Sequence, residues 1–223
     1  MRQPSPSYNN GYGHPAATSN SNHPLPTDAP FKGKDPLRFL VIGAGSRGNA
    51  YAEAVTTSIG GAVIHAVAEP HTFKREEFGK AFIWGPKGQS SDGQSFADWK
   101  EWLKWELARR QEGSSNGDGR VGVHGVFICT LDETHVEIIR AIAPLQLHIL
   151  CEKPLALSLN DCLAAYHALH RQPTPRVFSI GHVLRYSPHN VLLRDLVLSK
   201  RIIGDVVSLE HCEPVGWWHF SHR

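Results

Sequence analysis

Three glycines with the spacing G-x-G-x-x-G follow directly after an apolar run of the chain. They are Gly43, Gly45 and Gly48 in the segment GAGSRG. Where such a segment joins a strand to a helix, the first glycine forms the tight turn, the second lets the backbone approach a pyrophosphate, and the third allows close helix–strand packing. The N–H groups and the dipole of the helix start favour phosphate oxygens. The motif predicts a dinucleotide-binding turn that includes Ser46 and Arg47.

An acidic residue stands where the second strand-like run ends. Glu69 lies 21 residues after Gly48. A carboxylate at this position binds both ribose hydroxyls and repels a 2′-phosphate, so it predicts NAD as the cofactor. Lys74 and Arg75 follow shortly and are compatible with a 2′-phosphate, which keeps NADP open. The alternatives are a solvated acid at a strand end and a methyltransferase, which shares a glycine-rich first turn and an acid after the second strand.

A lysine follows the fourth strand-like run, in the segment Glu152-Lys153-Pro154. Ligands of open parallel sheets bind beyond the carboxyl ends of the strands. Lys153 would therefore hydrogen-bond a substrate hydroxyl or carry a proton, and Pro154 would fix the local backbone. This placement argues against the methyltransferase. A solvated charge pair at a loop remains the structural alternative for Glu152 and Lys153.

Apolar strand-like runs alternate with helical patterns from Leu37 onward. Strands are predicted over 37–42, 62–68, 121–129, 147–150 and 176–180. Helices are predicted over 47–58, 134–143, 158–170 and 187–198, with a further helix placed by Phe96, Trp99, Leu103 and Leu107 and capped by Ser95. Continuous apolar strands alternating with helices predict an α/β fold, a doubly wound parallel sheet of the Rossmann type.

Composition excludes several classes of protein. The 223 residues carry a formal net charge of +2, which argues against nucleic-acid and membrane-surface partners. No apolar run reaches the roughly 18 residues that a membrane span requires. Residues 1–36 hold seven of the 15 prolines and few aliphatic residues, so they are predicted to be a disordered tail. Residues 113–119 are predicted to be a surface loop.

The cysteines and histidines show no metal-binding pattern. None of the four cysteines has C-x-x-C spacing, and the 14 histidines lack H-x-x-x-H and H-E-x-x-H spacing, so no metal is expected. Cys129 and Cys151 end apolar runs and are interpreted as small buried thiols of a reducing compartment. The first residues contain no apolar segment of a secretory signal. These features predict a cytoplasmic protein.

Motifs taken in order along the chain resemble the N-terminal part of the Gfo/Idh/MocA oxidoreductases, the family of glucose–fructose oxidoreductase and inositol dehydrogenase. The resemblance extends from about Leu37 to the end of the chain. The matching segments are VIGAGSRG from position 41, AVAEP from 66, FICT from 127 with His135, EKP from 152, GHVLRYSP from 181 and EPVGWWH from 213. One departure is Leu131, where the family often has proline.

The resemblance implies hydride transfer between a nicotinamide cofactor and a sugar, polyol or similar hydroxyl compound. It places Glu152 and Lys153 near the nicotinamide ribose and the substrate, with Lys153 as the catalytic residue. Thr130 and His135 line the nicotinamide half of the cofactor site. The remaining pair, Arg185 and Tyr186, faces the substrate cleft or packs against a second domain.

The domain plan that follows has three parts. Residues 1–36 form the tail, residues 37–182 the dinucleotide-binding domain, and residues 183–223 a linker helix and the incomplete start of a substrate domain, with a strand over Asp205–Glu213. In the family, the rest of that domain carries a His–Asp type proton-transfer pair and often forms the interface of a homo-oligomer. The resemblance therefore predicts a truncated enzyme. The alternative is a cofactor-binding module without turnover, a sensor or partner subunit that uses Trp217 and Trp218.

Overall fold

The structure is a computed structural model, and it describes residues 35–58, 60–112, 121–173, 176–212, 214 and 216 of the chain. Most of the predicted tail, the loop over 113–119, Trp217 and Trp218 lie outside these residues. The elements that position the candidate site all lie within them.

Six strands form one parallel sheet, which confirms the predicted doubly wound α/β fold. They are β1 (Leu37–Ile42), β2 (Ala62–Ala68), β3 (Ser95–Phe96), β4 (Gly125–Ile128), β5 (His148–Cys151) and β6 (Phe178–Ile180). Their order across the sheet is β3-β2-β1-β4-β5-β6, and every pairing is parallel. The order reverses between β1 and β4, where such sheets bind ligands at the carboxyl ends of the strands.

Helices cover the two faces of this sheet. The helices that pack on the sheet are α1 (Ser46–Thr57), α2 (Thr72–Phe82), α3 (Trp99–Glu112), α4 (His135–Ile142) and α5 (Leu159–His170), and α6 (Pro188–Arg194) follows β6 with no buried residue. Val41 of β1 belongs to the core shared with α1 and α2, and its neighbours Leu40 and Ile42 belong to the core shared with α3, α4 and α5. Apolar residues therefore run continuously from Phe39 to the end of β1. Among the described helices, none combines the length and apolar character that crossing a membrane requires.

The start of α3 differs from the prediction. Ser95 and Phe96 pair with Val67 and Ala68 as a short edge strand, so the helix begins only at Trp99. The cap is Asp98, whose Oδ1 accepts from the backbone N–H groups of residues 100 and 101 at 2.6 and 2.9 Å. Ser95 is therefore wrong as the cap, because its backbone is committed to the sheet.

The segment predicted to start a second sheet also differs. Residues 205–212 form no strand in the described part of the chain. A single strand gains stability only from a neighbour that accepts its hydrogen bonds, and none lies beside it here. The strand prediction is wrong for these residues, and Glu213 lies outside the described ones. The helix predicted over 187–198 ends as an α-helix at Arg194 and continues as one π-helical turn over Asp195–Ser199.

A buried carboxylate forms ion pairs within α3. Glu106 is fully buried and accepts two hydrogen bonds of 2.7 Å from the Arg109 guanidinium and a third of 2.7 Å from Arg110 Nε. Burial alone would raise the pKa of Glu106, but the hydrogen bonds and charges of the two arginines outweigh it and lower that pKa. The carboxylate is therefore ionised and paired inside the protein.

Two histidines support the amino-terminal edge of the sheet with unprotonated nitrogens. His124 Nδ1 accepts from the Arg38 N–H at 3.0 Å, and His148 Nδ1 accepts from the Val177 N–H at 3.0 Å. Burial, the charge of Arg38 and then the charge of His148 lower the pKa of His124, against a small opposing effect of Asp35. The folded state therefore resists protonation of His124, because a protonated Nδ1 no longer accepts a hydrogen bond.

We expect acid to destabilise the protein through His124. Since its folded pKa lies below the ordinary value of 6.5, the free energy of unfolding is unaffected above that pH and falls as the pH decreases through it. His124→Asn keeps an acceptor and removes the titration. It should reduce the loss of stability between about pH 7 and about pH 5 by about 1 kcal/mol, the net value of one hydrogen bond. Thermal unfolding across this range measures the effect, with exposed His167→Asn as the control. Identical pH profiles for His124→Asn and the wild type would contradict the prediction.

Candidate functional site

The loops that carry the predicted site residues begin side by side. One residue past each strand, a backbone N–H donates to the neighbouring strand: Gly43 to Ala68, Cys129 to Ile42, Glu152 to Ile128 and Gly181 to Cys151, at 2.7–2.9 Å. Four neighbouring loops therefore start at the same level of the carboxyl edge. This edge is where a doubly wound sheet binds its ligand.

Two glycines of the turn between β1 and α1 are required by the fold itself. Gly43 has φ +94°, which side chains with a Cβ rarely adopt, and a Cβ there would lie 2.6 Å from the Cys129 carbonyl oxygen. A Cβ on Gly48 would lie 2.1 Å from the Gly43 carbonyl oxygen. Helix α1 thus packs against the turn with backbone-to-backbone contact.

The middle glycine has a different environment. Gly45 has φ −77°, which any residue adopts, and a Cβ built on it would have no heavy atom within 4 Å. Open space therefore lies in front of the first turn of α1, where the first backbone N–H groups have no partner within the helix. The Asn49 amide fixes the turn by donating to the Ala44 and Gly45 carbonyls at 3.0 and 2.8 Å. The sequence analysis missed Asn49.

The carboxylate of Glu69 is held against the same turn. Its Oε2 accepts from the Ala44 N–H at 2.8 Å, and its Oε1 accepts from the His71 N–H at 2.9 Å. Arg75 Nη1 donates to the Glu69 carbonyl at 2.6 Å. Glu69 is therefore not a freely solvated acid, because both oxygens are oriented by backbone groups at the ends of β1 and β2.

Thr130 and His135 lie after β4 and have different surroundings. The hydroxyls of Thr130 and Thr134 are 2.6 Å apart, and because Thr134 Oγ1 donates to the Leu131 carbonyl, Thr130 is the donor of the pair. His135 is fully buried, with Nδ1 2.8 Å from the Pro154 carbonyl oxygen and Nε2 3.1 Å from that of Thr130. The imidazole thus connects two loops of the site, and its predicted contact with a cofactor stays a prediction.

Glu152 is the second buried carboxylate among the described residues, with 7 % of its surface exposed. Its Oε1 accepts a short hydrogen bond from the Tyr51 hydroxyl and lies 3.4 Å from Arg47 Nε, and its Oε2 accepts from the Lys153 N–H at 3.3 Å. Burial, and then the hydrogen bond and charge of Glu152, raise the pKa of Tyr51. The structure therefore brings Arg47 and Glu152 together, and it adds Tyr51, which the sequence analysis missed.

The three residues predicted to meet a substrate are exposed. Lys153 precedes Pro154 through a cis peptide bond and is open to solvent. Arg185 and Tyr186 lie in a short 3-10 turn, Val183–Tyr186, that follows β6. Both side chains are exposed in the described structure, 74 % in the case of Tyr186. They neighbour the loop that starts at Gly181 on the same edge of the sheet.

The two thiols near this edge, Cys129 and Cys151, both have raised pKa values. Burial is the main cause that raises the pKa of Cys129, and it raises the pKa of Cys151 to about 12. The negative charge of Glu152 acts in the same direction on both groups. Both side chains are therefore protonated at neutral pH, and neither is activated as a thiolate.

Two curated proteins illustrate what the chain is similar to in sequence. Inositol 2-dehydrogenase 1 of Saccharopolyspora erythraea is 34% identical over 94 residues, which are 42% of this chain and 27% of that protein. The 2,7-anhydro-N-acetylneuraminate hydratase of Escherichia coli is 29% identical over 98 residues, 44% of this chain and 25% of that protein. The matched region thus spans about a quarter of the length of these relatives.

Solved structures share the fold at lower identity. The myo-inositol 2-dehydrogenase from Lactobacillus plantarum matches with a TM-score of 0.61 and 19% identity, over 78% of this chain and 44% of that one. GenD2 from gentamicin A biosynthesis, solved in complex with NAD, matches with a TM-score of 0.59 and 20% identity, over 77% and 42%.

A family model matches the part of the chain that forms this edge of the sheet. The model, described as an oxidoreductase family with an NAD-binding Rossmann fold, matches residues 37–182. These residues span all six strands and every cofactor-site residue predicted from the sequence. The chain belongs to the Gfo/Idh/MocA family of oxidoreductases, whose Rossmann domain binds NAD.

Proposed function

We propose that the protein takes part in NAD-dependent hydride transfer to or from a hydroxyl group of a sugar, a polyol or a similar compound. One observation carries the proposal: the open backbone at Gly45 lies beside a Glu69 carboxylate that is oriented toward the same turn. A backbone without side chains suits a pyrophosphate, and an oriented acid suits a ribose. The relatives named inositol dehydrogenase support a polyol as the substrate class.

The residues at the site fit a dinucleotide. Backbone N–H groups of Ser46 and Arg47 at the start of α1 would hold the pyrophosphate, and Glu69 would hold the adenosine ribose. Thr130 and Glu152 would border the nicotinamide end. His135 would hold the loops after β4 and β5 in place, since its ring lies between the Thr130 and Pro154 carbonyls. When bound, NAD accepts a hydride from the substrate or, in its reduced form, gives one.

The substrate would lie on the exposed side of these loops. There Lys153 would donate a hydrogen bond to the reacting oxygen, and its charge would favour negative charge developing on that oxygen. Arg185 and Tyr186 would supply further donors to hydroxyl groups. We propose that residues 37–182 form the cofactor unit and that residues 183–223 belong to the substrate side.

Titration of the protein with NADH and with NADPH, followed by nucleotide fluorescence, tests the proposal. We expect saturable binding of NADH. Oxidation of myo-inositol or another polyol with NAD, followed by the absorbance of the NADH formed, tests the reaction itself. If the protein binds neither NADH nor NADPH, the proposed function is refuted.

Glu69→Ala should change the preference between the two nucleotides. Without the carboxylate, the ribose loses its hydrogen-bond acceptor, so the Kd for NADH should rise about tenfold, as for the loss of one charged hydrogen bond. The Kd for NADPH should rise less, because the repulsion of its 2′-phosphate is removed while Arg75 remains nearby. Exposed Glu76→Ala on α2 is the matched control. Equal losses for both nucleotides would show that Glu69 only shapes the turn through Ala44.

A further inference from the structure

The Tyr51 hydroxyl is the nearest of three groups that face the buried Glu152 carboxylate. An ionised carboxylate away from water is costly unless hydrogen bonds satisfy it. Arg47 is 45 % exposed in its side chain and lies 3.4 Å away, and the Lys153 N–H is a long contact of 3.3 Å. The Tyr51 hydroxyl makes the shortest contact, and it must carry its proton to donate to a carboxylate.

Packing leaves the Tyr51 side chain little freedom. Its ring lies against Phe127 of β4, with 5.7 Å between the ring centroids. A Cβ on Gly181 would lie 2.7 Å from the Tyr51 hydroxyl and 2.6 Å from Glu152 Oε1. The backbone of Gly181, at the start of the loop after β6, therefore lies against both the Tyr51 hydroxyl and the Glu152 carboxylate.

This pair connects the two ends of the proposed cofactor site. Tyr51 lies on α1, the helix whose first turn would bind the pyrophosphate, and Glu152 starts the loop that carries Lys153. We infer that Tyr51 is a positioning residue: it fixes Glu152, and through it the loop at the nicotinamide end, without touching the cofactor. This inference rests on the proposed NAD-binding function. It assigns a role to a residue outside the glycine turn and outside the Glu-Lys-Pro segment.

Tyr51→Phe removes only the hydroxyl and tests the inference. We expect the Kd for NADH to rise about tenfold, because binding would then have to order a Glu152 carboxylate that has lost one hydrogen bond. Tyr166→Phe, at an exposed tyrosine of α5, should leave the Kd unchanged. Gly181→Ala, whose Cβ would strike both partners, should raise the Kd in the same direction as Tyr51→Phe. Thermal unfolding of each variant establishes that it is folded before titration.

A double-mutant cycle separates positioning from a general packing role. If Tyr51 acts through Glu152, Tyr51→Phe should change the Kd less than about twofold in a Glu152→Gln background. Additive effects of the two substitutions, or a Tyr51→Phe variant that binds NADH as the wild type does, would overturn the inference. A wild-type protein that binds no NADH would instead refute the proposed function, and the inference with it.

Discussion

Gly45→Val should weaken NADH binding on the order of 100-fold, which corresponds to about 2.7 kcal/mol. The fold has room for the new side chain, since a Cβ at this position would meet no heavy atom within 4 Å and the backbone is extended. The isopropyl group would instead occupy the space that the pyrophosphate requires. Stability should fall by about 1 kcal/mol or less, because valine is a poorer helix N-cap than glycine. Titration with NADH and thermal unfolding measure the two effects.

Two other glycines provide the controls for this experiment. Gly60→Val introduces the same side chain away from the site, where the nearest contact of a Cβ is 3.6 Å, so NADH binding should be retained. Gly48→Ala should instead act on the stability of the protein. The new Cβ would clash with the Gly43 carbonyl and destabilise the fold by about 2 kcal/mol. If Gly45→Val leaves NADH binding intact, the turn does not hold the cofactor as proposed, and if it unfolds the protein, the expectation that the fold has room for the side chain is wrong.

Glu106→Ala should lower the free energy of unfolding by about 3 kcal/mol, at the lower end of what the loss of one partner of a buried ion pair costs. The substitution removes three hydrogen bonds of 2.7 Å, and it leaves two guanidinium groups, Arg109 and Arg110, without the carboxylate that orients them. Their partial exposure keeps the effect below the upper end of the range. The melting temperature should fall by about 10 °C for a domain of this size.

Urea unfolding of Glu106→Ala, compared with exposed Glu76→Ala, measures this difference. The control removes a carboxylate of the same size from the surface of α2, where a change of less than about 0.5 kcal/mol is expected. Equal effects of the two substitutions would show that the Glu106 ion pair contributes no more than a surface charge. Because Glu106 lies away from the carboxyl edge of the sheet, NADH binding to the folded variant should persist.

The parts of the fold that sequence reasoning predicted well are those where burial acts on every residue. The bounds of β1 and β2 agree with the prediction residue for residue, since both are mainly apolar runs, interrupted only by Arg38 and His65, and are followed by Gly43 and Glu69. Edge elements were harder. Strand β3 has only two residues and forms because β2 provides backbone hydrogen-bond partners. No apolar run in the sequence predicts it. The Ser158 cap of α5, by contrast, is local, and its side chain accepts from the Asp161 N–H three residues later.

The candidate site shows the same division between local and distant causes. The glycine spacing identified the turn because the three glycines lie within six residues of one another, although the contact that constrains Gly43 comes from the distant Cys129. Tyr51 was missed because its partner Glu152 lies 101 residues away, and nothing in the sequence distinguishes it from the other tyrosines. His135 was expected to line the cofactor site, yet it is buried between two carbonyl groups. Only the folded chain brings Thr130 and Pro154 to the two sides of its ring.

The three glycines of the turn are constrained by different contacts, and this determines which of them can be substituted first during evolution. Gly43 and Gly48 are required by contacts within the chain itself, so a descendant that no longer binds a nucleotide still has to keep them to fold. Gly45 has no such contact, so under the proposed function only the ligand requires a glycine there, and it is the first position that relaxed selection would release. In a lineage of this protein, a side chain at position 45 beside intact glycines at 43 and 48 would mark the loss of cofactor binding more reliably than the motif as a whole marks its presence.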